Sequence, residues 1–217
     1  MYGATTAVCV RLTEPRVRRS RGQVRDDLAV PDYVHRAIDA LRLAGVRLEP
    51  GLTGQEVETL ERELGFTFGP EHAELLGLAL PIGPSWPDWR RGDPEELRGR
   101  LEWPIEGVIF DVRSNAFWPA SWGERPSVAA EAERVAREEL AAVPRLVPFY
   151  GHRCLAADPR YAPSPVFSVH QTDVIYYGDN LVDYVAHEFG GAPLQPSERT
   201  RVPFWSELAE GSEDRDL

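Results

Sequence analysis

The chain of 217 residues contains no lysine, few cysteines and no long apolar run. With only Cys9 and Cys154, it cannot build the disulfide framework that holds many small secreted domains together. No segment approaches the roughly 18 consecutive apolar residues that indicate a membrane-spanning helix. The apolar start MYGATTAVCV has no basic residue before it, which makes it a poor secretory signal. These absences favour a cytoplasmic protein without a membrane partner.

Motifs of several enzyme classes are also missing. The chain has no glycine-rich loop for phosphates, no Gly-x-Ser-x-Gly turn for a nucleophilic serine and no His-Glu-x-x-His metal motif. Their joint absence favours a binding protein over an enzyme. We therefore expect no catalytic residue, no cofactor and no resident metal.

The net charge of −11 is unevenly distributed along the chain. Residues 1–29 hold six arginines and three acidic residues, so the rest of the chain carries a net charge of −14. The arginine-rich stretch has no apolar period and predicts a disordered arm over residues 1–29. We expect an acidic, frayed tail over residues 210–217. An acidic body repels nucleic acid and attracts basic proteins, so the expected partner of the ordered domain is a protein.

Helical patterns come first, strand patterns follow, and helical patterns return at the end. This order predicts an α+β fold, with a mixed, mostly antiparallel sheet between N-terminal helices and a closing C-terminal helix, in one domain over residues 30–209. Helices are predicted from Pro31, after a capping box of Thr53 and Glu56, from Pro70, after Asp93, over 127–143, after an Asp179 cap and from Pro203. Strands are predicted around Ile109 and from Leu146, Ser164 and Asp173.

The middle segment, residues 86–122, contains five of the six tryptophans. Tryptophan favours half-buried positions and interfaces, because it combines a large apolar ring with one N–H donor. Two interpretations stay open: a second small core beneath a long loop, or a partner-binding groove. The candidate groove residues are Trp86, Asp88, Trp89, Arg90, Asp111, Asn115, Trp118 and Trp122.

His152 and His170 each end a predicted strand, where side chains can converge on one rim of the sheet. Together with Asp173 they are candidates for the partner-binding rim. Two alternatives remain: a metal site that adds Cys154 as a ligand, or a hydrolytic site in which His170 and Asp173 act as base and orienting group. A strand–turn–strand hairpin with polar residues at its tip explains the same residues without catalysis. The three helical histidines His35, His72 and His187 are expected to be surface residues or to be fully hydrogen-bonded.

Two stretches resemble the SMI1/KNR4 family, also called the SUKH superfamily. The first is GLTGQEVETLERELGFTFGPEHAELLGLALP; the second runs from LVPFYGH through PVFSVHQTDVIYYG to DNLVDYVAHEF, and together the resemblance covers Leu52 to Leu208. It implies a sheet of about six strands with flanking helices, and no catalysis. It also implies binding to proteins: bacterial members often neutralise toxins, many of them nucleases, and fungal relatives are regulatory proteins.

Overall fold

The computed structural model describes residues 30–190 and 198–213, so the predicted arm over 1–29 lies outside the described residues. The helices are α1 (Val30–Leu43), α2 (Gly54–Leu64), α3 (Pro70–Leu78), α4 (Pro94–Ser114), α5 (Ala129–Leu140), α6 (Leu181–Phe189) and α7 (Trp205–Glu213). The strands are β1 (Leu48–Pro50), β2 (Ala79–Pro81), β3 (Leu146–Tyr150), β4 (Arg153–Ala156), β5 (Val166–His170) and β6 (Asp173–Gly178). The α+β class predicted from the sequence is confirmed. Among the described helices, none combines the length and apolar character that a bilayer crossing requires.

The local signals around α2 are confirmed in detail. The Thr53 hydroxyl accepts a hydrogen bond from the backbone N–H of Glu56, and the Glu56 carboxylate accepts one from the backbone N–H of Thr53. Gly65 ends the helix with φ +67°, a conformation that suits glycine because it has no Cβ. These reciprocal contacts fix where α2 begins and ends.

The strand predicted around Ile109 is wrong, because that segment lies within the 21-residue helix α4. Asp93 caps the helix by accepting from the N–H groups of Glu95 and Glu96. Val108 and Val112, four residues apart, are buried on one helix face. Packing on that face outweighs the preference of β-branched residues for strands, and a short apolar run does not distinguish the two structures.

Two smaller predictions about helix ends are also wrong. Asn180, rather than Asp179, caps α6, since its side chain accepts a hydrogen bond from the N–H of Asp183. Helix α7 continues through Glu213, so the tail predicted to fray from residue 210 is helical over its first four residues.

The six strands form two separate antiparallel sheets in place of the single mixed sheet that was predicted. β1 pairs with β2, and the other four form a meander in the order β3-β4-β5-β6. Strands β1, β2 and β4 were not predicted: the first two have three residues each, and β4 has four. Such short strands carry almost no alternation of polar and apolar residues from which to recognise them.

The four-stranded sheet separates two hydrophobic clusters. Because successive side chains of a strand point to opposite faces, Leu155 and Val166 lie on one face while Cys154 and Phe167 lie on the other. The first face belongs to a cluster that includes residues of α1, α3 and α6; the second belongs to a cluster that includes residues of α5 and α7. Helix α4 contributes to both clusters, with Leu97 and Leu101 in the first and its later residues in the second.

Candidate interaction surface

The first two tryptophans of the predicted groove are core residues. Trp86 is 7% exposed and Trp89 is 3% exposed, and both belong to the first cluster. The Trp89 ring packs against Phe68, and the Trp86 ring packs against Phe149. For this pair of indoles the groove prediction is therefore wrong.

Asp88 and Arg90 shape the loop that covers this core. The Asp88 carboxylate accepts hydrogen bonds from the N–H groups of Arg90 and Arg91. The Arg90 guanidinium donates to the Glu56 carboxylate at 2.8 Å and to the carbonyl of Gly51 at 2.9 Å. Arg90 and the capping-box bonds to Thr53 lower the pKa of Glu56 to about 2. Arg90 thus ties the loop to the beginning of α2.

A pocket of about 420 Å³ lies between α2 and the beginning of α4, with Thr59, Leu60, Arg90 and Leu97 in its wall. The guanidinium group of Arg90 in this wall already donates hydrogen bonds to Glu56 and to two backbone carbonyls. We therefore assign this pocket no ligand.

Asp111 and Asn115 lie near the opposite end of α4. Leu97 and Asp111 are fourteen residues apart, about 21 Å along a helix that rises 1.5 Å per residue. A single groove rimmed by Asp88, Arg90, Asp111 and Asn115 is therefore wrong. Asp111 is 3% exposed, and its carboxylate accepts hydrogen bonds from Asn115 and, at 2.9 Å and 2.6 Å, from the backbone N–H and hydroxyl of Thr172.

The last two tryptophans of the groove prediction are half-buried. The Trp118 indole donates to the carbonyl of Gly123 at 2.9 Å, and its ring packs edge-on against Trp122. The Trp122 ring in turn stacks on Phe204. These rings cover the edge of the second cluster, so for them the interpretation as a small core beneath a loop describes the structure in part.

Burial is the largest cause of the lowered pKa of His152; Arg153 and then His170 lower it further, so the two histidines lie near each other. Cys154 is buried on the opposite face of the sheet, where burial raises its thiol pKa to about 12. The proposed N, S and O ligand set is therefore wrong. Within residues 30–190 and 198–213, no group of three or more His, Cys, Asp or Glu side chains could hold a metal. Asp173 pairs with His170 across the hairpin, but no hydrogen bond joins their side chains there.

A polar group around Arg153, absent from the sequence predictions, lies where the sheet meets α6. The guanidinium of Arg153 lies 3.9 Å above the ring of Tyr177 and 3.7 Å from the carboxylate of Glu188, and it contacts the imidazole of His152. The Nε of Arg153, one carboxylate oxygen of Glu188 and the hydroxyl of Tyr184 are buried without hydrogen-bond partners. Burial, reinforced by the nearby Glu188, raises the pKa of Tyr184.

Among the residues whose exposure the structure describes, the most exposed aromatic side chains lie on α4 beside the β5–β6 turn. Trp103 is 55% exposed and Phe110 is 48% exposed, and the spacing of seven residues puts them on the same face of the helix. Between them lies Gly107, against which the backbone of Gln171 packs. Ile175 of β6 is 39% exposed, but it pairs with Ser168 and so lies on the opposite face of the sheet from the second cluster, which α4 covers. We call Trp103, Phe110 and Gln171 the hairpin surface.

The sequence contained a signal for this surface that the strand prediction obscured. A strand around Ile109 places Trp103 and Phe110 in different elements. Read at helical spacing, they form a stripe opposite the buried Val108 and Val112.

Comparison with known proteins gave no match of any kind. No family model, no curated protein and no solved structure is significantly similar to the chain. The class that the structure defines is that of the fold, α+β.

Proposed function

We propose that the chain is a non-enzymatic protein-binding domain of the SMI1/KNR4 type. We further propose that it acts as an immunity or antitoxin-like protein that neutralises a basic toxin of the nuclease type. The observation that carries this proposal is the hairpin surface. Two of the six large apolar side chains that are exposed in the described residues belong to it, and these two, Trp103 and Phe110, are the aromatic ones. Grouped exposed apolar side chains are characteristic of protein interaction sites.

The charge of the surface supports a basic partner. The described ranges contain 17 arginines and 30 acidic residues. Fifteen of those arginines contact a carboxylate or a backbone carbonyl; Arg36 and Arg47 do not. Several carboxylates make no side-chain hydrogen bond or ion pair within these ranges: Glu58, Glu74, Glu102, Glu124, Glu139 and Asp173. The unpaired charge is therefore mainly negative, and it steers association with a cationic protein.

Two of these unpaired carboxylates adjoin the hairpin surface. Glu102 directly precedes Trp103, and Asp173 closes the hairpin opposite His170. An apolar centre with a charged rim is the usual composition of an interface. The SMI1/KNR4 part of the proposal has further support, since the segments that carry the resemblance form α2, α3, the β3–β6 meander and α6.

The test is growth rescue by co-expression with basic nuclease domains encoded beside this gene. We expect the wild-type chain to restore growth against one of them and the Trp103→Asp variant to lose most of that rescue. Leu43→Asp, which alters a side chain 90% exposed outside the hairpin surface, is the matched control and should rescue fully. A stoichiometric metal, or hydrolase turnover, that disappears in a His152→Ala variant would overturn the proposal in favour of an enzyme. Rescue by no neighbouring domain would overturn the toxin assignment and favour a regulatory scaffold.

A further inference from the structure

Gln171 occupies a backbone conformation that favours glycine. His170 pairs with Asp173, so Gln171 and Thr172 form a two-residue hairpin turn. Gln171 has φ +60°, whereas Thr172 is not among the residues with positive φ. Two-residue turns with positive φ at their first position strongly favour glycine there, because a side chain is strained in this region.

Gly107 is a second locally unfavourable residue at the same contact. Glycine is the least favourable residue in a helix interior apart from proline, yet Gly107 lies in the middle of α4. A Cβ at position 107 would lie 2.9 Å from the Cα and 3.2 Å from the backbone nitrogen of Gln171. Any larger residue would therefore push the turn away from the helix.

Asp111 is the third unfavourable choice, since burial of a carboxylate is costly unless hydrogen bonds compensate. Its carboxylate accepts two hydrogen bonds from Thr172 and so holds the residue that follows Gln171. Strained residues persist where the surrounding structure overdetermines them, and they are concentrated at functional sites. Gly107 and Asp111, both on α4, together fix the strained turn.

These three unfavourable features together fix the position of one residue, Gln171. The carboxamide of Gln171 makes no hydrogen bond within the described ranges, and the residue is only partly exposed. Trp103 precedes Gly107 by four residues and Phe110 follows it by three, so the exposed rings flank the place where Gln171 contacts the helix. Natural proteins that depart from several local preferences at one place tend to do so at functional sites.

We propose that Gln171 is the central contact residue of the hairpin surface and that it binds an extended, basic segment of the partner. This inference rests on the proposed function. A carboxamide offers both a donor and an acceptor, which matches the exposed peptide groups of a polyproline-type segment. In such a segment residues three apart lie on one side, about 9 Å apart, while Trp103 and Phe110 are about 10 Å apart along α4. Arginines at that spacing would lie over the two rings, close to the unpaired Glu102.

The test uses NMR titration of the full chain with an acetylated peptide, Pro-Arg-Pro-Pro-Arg-Pro. We expect it to shift the indole signal of Trp103 and the backbone signal of Gln171, and to leave the buried indoles of Trp89 and Trp205 unchanged. A peptide with glutamates in place of the arginines, and one with the two arginines adjacent, are the controls and should bind at least about fivefold more weakly.

The decisive variant is Gln171→Gly, for which Tm and the affinity for the peptide are expected to change in opposite directions. We expect its Tm to rise, because the turn is relieved of strain, and its affinity for the peptide to fall at least about fivefold. Unchanged affinity, or a lower Tm, would overturn the role of Gln171. Equal binding of all three peptides, or binding of none, would overturn the extended basic segment. Neither result bears on growth rescue, which tests the proposed function separately.

Discussion

Aromatic side chains in the loop before α4 are buried, whereas two aromatic side chains farther along the helix are exposed. Near its beginning, Trp86 and Trp89 are sealed in the first cluster beneath a loop that Arg90 holds in place. Farther along the helix, Trp103 and Phe110 lie outside the second cluster, beside the hairpin turn. A tryptophan-rich segment is therefore not one functional unit: its first part builds the core and a later part forms a surface.

The difference follows from where each ring stands relative to a buried face. Val108 and Val112 occupy the inner face of α4 and fill the second cluster, which leaves Trp103 and Phe110 on the outer face. The loop that contains Trp86 and Trp89 has no such division, and it folds over the space between α3 and β3, where Phe149 lies. The number of tryptophans in a segment predicts neither a core role nor a surface role. The position of each ring relative to a buried helix face distinguishes the two.

The largest expected effect on stability concerns Trp89, in the loop before α4. Trp89→Ala should lower the free energy of unfolding by roughly 3–5 kcal/mol, because it removes a large, fully packed ring and leaves a cavity. Trp103→Ala should change it by less than about 0.5 kcal/mol, as exposed substitutions usually do. Chemical denaturation of the two variants gives both values. Similar losses of unfolding free energy in the two variants would show that Trp103 is as much a core residue as Trp89.

The sequence predicted those features that depend on local chemistry. The capping box at Thr53, the glycine stop at Gly65 and the β5–β6 hairpin require contacts only between residues close in the chain. The contacts that build the hairpin surface are different, since Asp111 holds Thr172 across 61 positions and Gly107 packs on Gln171 across a similar separation. No local pattern encodes such contacts, and the prediction of a strand around Ile109 removed the helical register needed to infer them.

A second prediction concerns His72, which packs in the first cluster against Phe68 and Phe149. The sequence predicted a surface or fully hydrogen-bonded histidine; instead it is buried, and its Nδ1 has no partner. Burial lowers its pKa from 6.5 to about 3. As the pH falls below 6.5, the unfolded chain takes up a proton that the folded protein does not accept until about pH 3. This histidine should therefore reduce the free energy of unfolding by about 3 kcal/mol at pH 4 relative to pH 7.

The variant His72→Phe isolates this effect, since it keeps an aromatic ring and removes the titrating group. Denaturant midpoints at pH 7 and pH 4 should fall less in the variant than in the wild type. The neighbouring Glu71, whose pKa burial raises, adds stability as the pH falls and acts in the opposite direction. Because Glu71 is present in both proteins, the difference between them reports on His72. An equal acid shift in both would mean that His72 is protonated in the folded protein.

A smaller loss of stability is expected at Trp118, which is half-buried in the loop that follows α4. Trp118→Ala removes one hydrogen bond to Gly123 and an edge-on contact with Trp122, which together predict a loss of roughly 1–2 kcal/mol in unfolding free energy. Trp118→Phe keeps a ring at this position and should recover part of the loss. If the hairpin surface is the interface, both variants should rescue growth as the wild type does. A loss of rescue by Trp118→Ala beyond what its stability explains would extend the interface to the loop after α4, because the ring would then contribute to binding as well as to the fold.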